Sequence, residues 1–376
     1  MRLYSTGTAV ARPEAVEAFD TPREPRPVRL QLLRLLPVLI ILGLIVHFVL
    51  PRLESVENSI DTMRHLAPWA LALALIFETL SYIANGALLQ SIIRIGGGRM
   101  RLMRAMAIEL GAGSVALVAA GSLGFGAAIY RWTRETETRE TAMLASWLPS
   151  VFDALALVVF ALIGAIELLL KHQLSRTTEV ALAIVITALG GAVATVIVLL
   201  VREDWMNAVV LRATRLIRRI RPSADESLLI DVAEHAAQAW QTMRHGGFFR
   251  PAISSLLFLT FDFLCLRYAL LAAGQHPYIS TIVAAYGVPL LLGRSSFIPG
   301  GIAVTEVAMA ALLGGLGVPG NAAVVSVLTY RLISFWLPAA VGIPIAIALE
   351  SQRKSKHASD QAAELSTASR DRLHPK

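Results

Sequence analysis

Long apolar runs constrain this chain more than any other feature of its sequence. A helix that crosses a membrane needs about 20 apolar residues, because each residue adds about 1.5 Å toward a hydrocarbon core of about 30 Å. Stretches of this length recur along the 376-residue chain and predict an all-α, polytopic membrane protein with about six transmembrane helices. They are Leu30–Leu50, Ala67–Leu89, Leu148–Leu170, Val180–Val201, Pro251–Ala273 and Ala322–Leu349.

The composition agrees with a lipid environment. The chain is 55% apolar and 16% charged, with a mean hydropathy of +0.61, whereas soluble proteins have roughly 45–50% apolar and 25% charged residues. The net charge of +7 lies in short segments between apolar runs, where cations set membrane orientation. We therefore expect membrane lipids as partners and no nucleic acid.

Two further apolar regions, Leu102–Arg131 and Ile279–Leu316, are too long for one helix and are broken near their middles. In the second region, Ile279–Gly293 and Ala303–Leu316 would each form about 21 Å of helix, which is too short to span. Unpaired backbone at the breaks must face protein or water. We therefore expect two re-entrant helical hairpins, with apices at Gly121-Ser122-Leu123-Gly124-Phe125-Gly126 and Ser295-Ser296-Phe297-Ile298-Pro299-Gly300-Gly301.

The distribution of cations predicts the orientation. With both termini in the cytoplasm and both hairpins re-entrant, most of the 34 lysines and arginines fall on the cytoplasmic side, as the positive-inside rule requires. The cations expected outside are Arg52, Arg64, Lys171 and Arg176. We thus expect a multi-pass protein of a bacterial cytoplasmic (inner) membrane, with tails at 1–29 and 351–376 that are disordered or interfacial.

A duplication divides the expected transmembrane domain, residues 30–350, into repeat one (about 67–170) and repeat two (about 251–349). Phe77-Glu78 in the second span matches Phe261-Asp262 in the fifth, and a broken hairpin follows each pair. A charged span comes next, bearing Asp153 or Arg331. The charge count places the two hairpins on opposite sides, which predicts an inverted-topology repeat of the kind in which transporters bind substrate.

The segment 203–250 between the repeats is expected in the cytoplasm. Met206–Arg221 has apolar residues at helical spacing with arginines elsewhere, which predicts an amphipathic helix on an anionic leaflet. Glu226–His245 would form a second helix beside it. The alternative is a solvated linker.

Ionisable side chains inside the membrane are the candidate functional residues, because each costs roughly 2.5–3.5 kcal/mol to insert and therefore faces a cavity or a partner. Glu78 and Asp262 are candidates for charge coupling. We expect Glu306 to pair with Arg131 or Arg331, or to bind a proton. The alternative is that such groups are buried ion pairs that fix helix register. The full set is Glu78, Glu109, Asp153, Glu167, Asp262, Arg267, Arg294, Glu306 and Arg331, with Arg131 at a hairpin end.

The hairpin apices are candidate anion sites. A half helix that starts after Pro299-Gly300-Gly301 would point its free amides and partial positive charge at the membrane interior, where they attract phosphate. In the first hairpin Ser122 would cap the half helix and Arg131 would close it. The alternative is that the glycines only permit close helix packing. The predicted substrate or transport residues are Ser122, Gly124, Gly126, Arg131, Asp153, Pro299, Gly300, Gly301, Glu306 and Arg331.

The segment Phe297-Ile298-Pro299-Gly300-Gly301-Ile302-Ala303-Val304-Thr305-Glu306 resembles the "PGGxGxxE" feature of the lysylphosphatidylglycerol synthase and flippase-like transmembrane family. Leu313–Val318 and Tyr330-Arg331 resemble its "LLxxxGV" and "YR" features, and Gly121–Arg131 resembles its "GDxxR" segment, with Ala127 in place of the aspartate. The resemblance covers about Leu30–Glu350. It implies lipid handling, and related members act on phospholipids, polyprenyl-linked sugars or hopanoids.

The leading functional hypothesis is therefore a protein that translocates a lipid. A non-transporting scaffold that recruits a lipid-modifying synthase is the alternative. We expect no enzymatic activity, because the sequence carries no GxxxxGK[ST], HExxH or GxSxG motif and the resemblance does not extend to an aminoacyl-transfer domain. We likewise expect no cofactor and no metal, since the histidines are scattered and Cys265 is the only cysteine. The oligomeric state stays open.

Overall fold

A computed structural model describes residues 65–118, 121–171, 247–295 and 299–373, with a few isolated positions between 186 and 195. Every regular element within these ranges is helical, and they contain no strand. The expected all-α membrane fold is confirmed. Some predictions concern residues outside the described ranges. They are the predictions for the tail 1–29, the spans Leu30–Leu50 and Val180–Val201, and the amphipathic segment up to residue 246.

Four apolar helical stretches within the described ranges are long enough to cross a membrane. Three of them are helices α1 (Pro68–Ile95), α4 (Arg139–Lys171) and α5 (Phe249–Ala272). Proline near the start of α1 costs no hydrogen bond, since the first amides of a helix have no partner within it. The fourth stretch is Gly320–Lys356. The four stretches coincide in position with the spans predicted at Ala67–Leu89, Leu148–Leu170, Pro251–Ala273 and Ala322–Leu349.

Shorter helices form the two broken regions, and their lengths match between the halves. Helix α2 (Leu102–Val118) has 17 residues and α3 (Ser122–Thr133) has 12. Helix α6 (Ile279–Ser295) again has 17 residues and α7 (Val304–Gly315) has 12. A 12-residue helix is about 18 Å long and cannot cross a bilayer. Entry and exit of each hairpin on one side of the membrane stays a prediction.

The last stretch is one helix with an irregular turn. Helix α8 (Gly320–Arg331) leads into a π-helical turn, Leu332–Trp336, and then into α9 (Leu337–Leu373). The tail after residue 350 was expected to be disordered or interfacial; disorder is wrong for most of it, because α9 continues to Leu373, and an interfacial position stays a prediction. Alternating charged and small residues support a helix here without an apolar run.

Helix packing follows the duplication. The first helices of the halves, α1 and α5, pack against each other, α4 packs on α6, and α2 packs on α9. Each hairpin thus lies against the last long helix of the other half. The rings of Phe77 and Phe261, equivalent residues in the two halves, stack with centroids 6.2 Å apart and planes 28° apart. This arrangement is the one expected of two similar halves related by an approximate two-fold axis.

Equivalent glycines allow the two crosswise contacts. Gly164 of α4 follows Asp153 by the same number of residues as Gly342 of α9 follows Arg331. A β-carbon on Gly164 would meet the backbone of Val283 and Ala284 on α6. A β-carbon on Gly342 would meet the Leu110 carbonyl and the Ser114 hydroxyl on α2. Small residues let membrane helices approach closely, so both glycines have a packing role.

Candidate functional site

The break between α6 and α7 is a 3-10 turn, Pro299–Gly301, built on left-handed glycines. Gly300 has φ +67° and Gly301 has φ +61°. L-residues pay a steric cost in this region, so the turn requires glycine. A β-carbon on Gly300 would also overlap the ring of Phe335, and one on Gly301 would overlap the backbone of Gly293 on α6. The Pro-Gly-Gly sequence therefore sets both the turn and its close packing.

Helix α7 begins immediately after this turn. Its N-cap residue is Ala303, with φ +69°, the one non-glycine residue with positive φ in the described part of the chain. Strain of this kind costs about 1–3 kcal/mol and concentrates at functional sites. Glu306 lies in the first turn of α7, where the helix dipole favours a negative charge. The start after Pro299-Gly300-Gly301 was thus predicted correctly from the sequence.

Arg331 joins the turn to Glu306. Its Nε donates a hydrogen bond to Oε1 of Glu306 at 2.6 Å, and its Nη2 donates to the carbonyl oxygen of Gly300 at 3.0 Å. Its guanidinium lies 4.2 Å from the ring centroid of Phe335 in the π turn. The side chains of Arg331 and Glu306 are 7% and 16% exposed. The last turn of α8 and the first turn of α7 are therefore held together by a buried ion pair.

One carboxylate oxygen of this ion pair receives no hydrogen bond. Oε2 of Glu306 is buried and has no hydrogen-bond partner among the described residues. A buried oxygen without a donor costs free energy, so the site favours a proton, a water molecule or a ligand that donates to it. The pair carries no net charge, and an anion that reached Arg331 would compete with Glu306 for the same guanidinium.

A second polar cluster lies between α1 and α5. Oδ2 of Asp262 accepts hydrogen bonds from the hydroxyls of Tyr286, at 2.7 Å, and Tyr330, at 2.8 Å. Asp262 and the equivalent residue Glu78 are 8% and 4% exposed, and their carboxyl groups lie close enough to interact electrostatically. Charge coupling between Glu78 and Asp262 stays a prediction, and two neighbouring carboxyl groups of this kind can share one proton.

Consecutive residues connect the two clusters. Tyr330 binds Asp262, and Arg331, the next residue of α8, binds Glu306. Both residues are buried. The π turn that follows them at Leu332–Trp336 is a form of helix that occurs frequently at functional sites. A shift of this part of α8 would therefore change both clusters together.

Asp153 occupies a separate position on α4. Its Oδ1 accepts a hydrogen bond of 2.9 Å from the hydroxyl of Ser255 on α5. Glu109 on α2 is 3% exposed, and its Oε1 has no hydrogen-bond partner within the described ranges. Neither carboxylate contacts the Glu306–Arg331 pair. Asp153 and Arg331 occupy equivalent positions in the sequences of the two repeats, but they bind different kinds of partner.

The first hairpin differs from the expectation. Ser122 is not the cap of α3, because the N-cap is Gly121, with φ +58°, and no side chain caps the helix. Gly124 lies in the first turn. Gly126 packs closely on α4, where a β-carbon would approach the carbonyl oxygen of Ser146. For Gly126 the packing alternative is therefore the one that the structure supports.

Arg131 lies in the last turn of α3, as predicted, but its side chain does not contact Glu306. Its side chain is 44% exposed, and its Nη1 lies 3.9 Å from Oε2 of Glu350 on α9. Glu350 also binds Arg353, with Nη2 to Oε1 at 2.7 Å. Of the two cations considered for Glu306, Arg331 is the partner and Arg131 belongs to a charged cluster at one end of the bundle.

Four residues that were not among the predicted site residues also contribute to the two clusters and to the Asp153 position. They are the hydroxyl donors Tyr286, Tyr330 and Ser255, and the aromatic ring of Phe335. Tyr330 precedes the arginine in the "YR" feature, and that adjacency was the available signal. The described residues hold no group of three or more His, Cys, Asp or Glu side chains that could bind a metal ion.

Known proteins similar to this chain share its membrane character. The model of a family described as "Lysylphosphatidylglycerol synthase TM region" matches residues 34–342. A UPF0104 membrane protein of Pyrococcus horikoshii is 26% identical over 211 residues, which cover 51% of this chain and 59% of that protein. A UPF0104 membrane protein of Methanothermobacter thermautotrophicus is 37% identical over 90 residues, 24% of this chain and 27% of the relative. The matched part is thus less than two thirds of either relative.

Proposed function

The chain belongs to the family of lysylphosphatidylglycerol synthase TM regions, and from this premise we propose that it translocates a lipid between the two leaflets of a membrane. The family membership supports a lipid as the molecule handled. The membrane is a bacterial cytoplasmic membrane in this proposal, with both termini in the cytoplasm. The transported lipid would be a phospholipid, a polyprenyl-linked glycolipid or a hopanoid, and the cation in the site favours the phosphate-bearing classes.

The observation that carries the proposal is the Glu306–Arg331 ion pair at the break between α6 and α7. Charges inside a membrane bundle are expensive and mark substrate or ion pathways. Helices broken near the membrane interior are the substrate sites of many transporters. Here the break and the charges coincide, because Arg331 binds the carbonyl of Gly300 as well as Glu306.

Exchange of partners at Arg331 would explain how a headgroup crosses. A phosphate offers oxygens that suit the planar guanidinium as well as a carboxylate does. When the phosphate binds Arg331, Glu306 is released and can take up a proton, so that no unpaired negative charge stays buried. When Glu306 loses the proton and returns to Arg331, the phosphate is expelled. The Glu306–Arg331 ion pair would thus break and form again in each transport cycle.

Transport can be measured with purified protein in vesicles. Labelled phosphatidylglycerol is placed in both leaflets of phosphatidylethanolamine–phosphatidylglycerol vesicles, and an impermeant reductant bleaches the outer leaflet. Vesicles with protein should lose nearly all fluorescence as inner-leaflet lipid reaches the surface, whereas protein-free vesicles should stop near half. Repeating the assay with labelled polyprenyl phosphate compares the lipid classes. A scaffold without transport activity would leave every vesicle at the protein-free level.

A further inference from the structure

A cavity of about 170 Å³ opens at one end of the bundle, away from the Glu306–Arg331 pair. It lies between the start of α2, the end of α3 with the loop after it, and the middle of α9. The positive-inside count assigns this end to the cytoplasmic surface. The lining residues are Arg104, Trp132, Glu135, Thr136, Leu349, Gln352, Arg353 and Lys356.

Cations outnumber the acidic side chains in this lining. Arg104, Arg353 and Lys356 face one acidic side chain, Glu135. Two of the cations are held in place by the protein. Arg353 binds Glu350 through Nε and Nη2, and Nζ of Lys356 donates to the carbonyl oxygen of Glu135 at 2.8 Å.

Arg104 differs from the other two cations. Its Nε is buried and has no acceptor among the described residues. A buried donor in a cationic guanidinium normally finds an acceptor. The structure therefore contains a cavity with an unused cationic donor on its wall, and an acceptor-rich anion would complete it.

The surroundings favour an anion with apolar tails. Trp132 and Leu349 form an apolar part of the lining. On the same side of α9, Val341 and Ile345 lie two turns and one turn before Leu349; Val341 is 46% exposed and Ile345 is half-buried. Acyl chains can lie along this face while a headgroup occupies the cavity. A free phosphate ion would make no use of it.

We propose that this cavity binds the phosphate of an anionic phospholipid at the cytoplasmic surface, with Arg104 as the principal donor and the acyl chains along Val341 and Ile345. The site is separate from the Glu306–Arg331 pair and does not depend on lipid translocation. It would hold a lipid at the membrane surface whether or not the protein moves lipid between leaflets.

Binding can be measured by native mass spectrometry and thermal unfolding of the full-length protein in a neutral detergent. The probes are phosphatidylglycerol, diacylglycerol with the same tails, and inorganic phosphate. The variants are Arg104→Gln and Arg101→Gln, which removes an exposed arginine that does not line the cavity. The Glu306–Arg331 pair is intact in both variants, so its contribution to lipid binding cancels.

Phosphatidylglycerol should bind the wild type and raise its unfolding temperature, and neither diacylglycerol nor inorganic phosphate should match it. Arg104→Gln should weaken phosphatidylglycerol binding about tenfold, the loss expected of one charge-assisted hydrogen bond, and Arg101→Gln should leave binding unchanged. If Arg104→Gln does not accumulate, Lys356→Gln on the exposed part of α9 takes its place. Equal binding by the two arginine variants overturns the site. Equal stabilisation by inorganic phosphate overturns the assignment to a lipid.

Discussion

Nε of Arg331 lies 2.6 Å from Oε1 of Glu306, and Nη2 of the same side chain binds the carbonyl of Gly300. One arginine therefore fixes the turn, the first residues of α7 and the end of α8 in a single arrangement. Truncating either side chain to alanine would leave the other charge buried without any partner, which typically costs about 3–5 kcal/mol, whereas an isosteric change that keeps the hydrogen bond should cost less. Opening the ion pair, as the proposed exchange of partners requires, would release all three.

The turn at Gly300 should not tolerate a side chain. Gly300→Ala places a β-carbon at positive φ against the ring of Phe335, and we expect a loss of about 1–3 kcal/mol of stability. Gly314→Ala is the matched control, because nothing lies within 4 Å of its β-carbon and alanine favours a helix by up to about 1 kcal/mol. Thermal unfolding in detergent compares them. A Gly300→Ala protein as stable as the control would show that the turn is not constrained.

The two tyrosine hydroxyls on Asp262 should act together. Tyr330→Phe and Tyr286→Phe each remove one hydrogen bond to Oδ2 of Asp262, which should cost about 1.5–3 kcal/mol each if the carboxylate is charged. The double variant should lose more than the sum, since it removes both hydroxyl donors from this oxygen. Tyr268→Phe, whose ring stacks on Phe77, is the control. Strictly additive unfolding free energies would contradict this coupling.

The crosswise contacts between the halves should be equally sensitive to added volume. Gly164→Ala and Gly342→Ala each put a methyl group against the backbone of a neighbouring helix, and overpacking of this kind costs about 1–3 kcal/mol. Gly113→Ala on α2 is the control, as its β-carbon meets nothing within 4 Å. The measurement is again thermal unfolding. A large effect at one of the two glycines and none at the other would argue against equivalent contacts.

Apolar run length and Pro-Gly-Gly were sufficient to predict much of this structure. The described spans and the limits of α6 and α7 follow from them, because helix length in a membrane and the φ preference of glycine act locally. The match of Phe77-Glu78 to Phe261-Asp262 identified equivalent residues of the two halves, and their phenyl rings stack where α1 packs on α5. The partner of Glu306 was narrowed to two arginines because only a few cations lie at that depth.

Long-range contacts account for what the sequence could not predict. Tyr286 lies in an apolar run where a hydroxyl gives no local signal, and Tyr330 was marked only by its place beside Arg331. The two hydroxyls meet at Asp262 only after α5, α6 and α8 have packed. Arg131 was expected at the site because of its spacing from Gly126. Its partner Glu350 lies on α9, beyond the expected end of the span, in a helix continuation that apolar run length did not predict.

Membrane orientation of the hairpins is tested by cysteine labelling. Cys265 is buried and is the only cysteine of the chain, so Cys265→Ala gives a background without thiols. In that background Ser122→Cys should react with an impermeant maleimide only from the cytoplasmic side, and Ser295→Cys only from the outside. Reaction of both positions from one side would contradict the inverted topology.

The most direct measurement of the central claim is the rate at which labelled phosphatidylglycerol crosses vesicles that contain wild-type or Glu306→Gln protein. We expect the variant to be inserted at the normal level, since glutamine can still accept a hydrogen bond from Arg331, and to transport at least about tenfold more slowly, because it cannot bind and release a proton. Glu137→Gln, in the loop between α3 and α4, controls for the loss of one carboxylate and should transport normally. Wild-type transport by normally inserted Glu306→Gln protein would contradict the account.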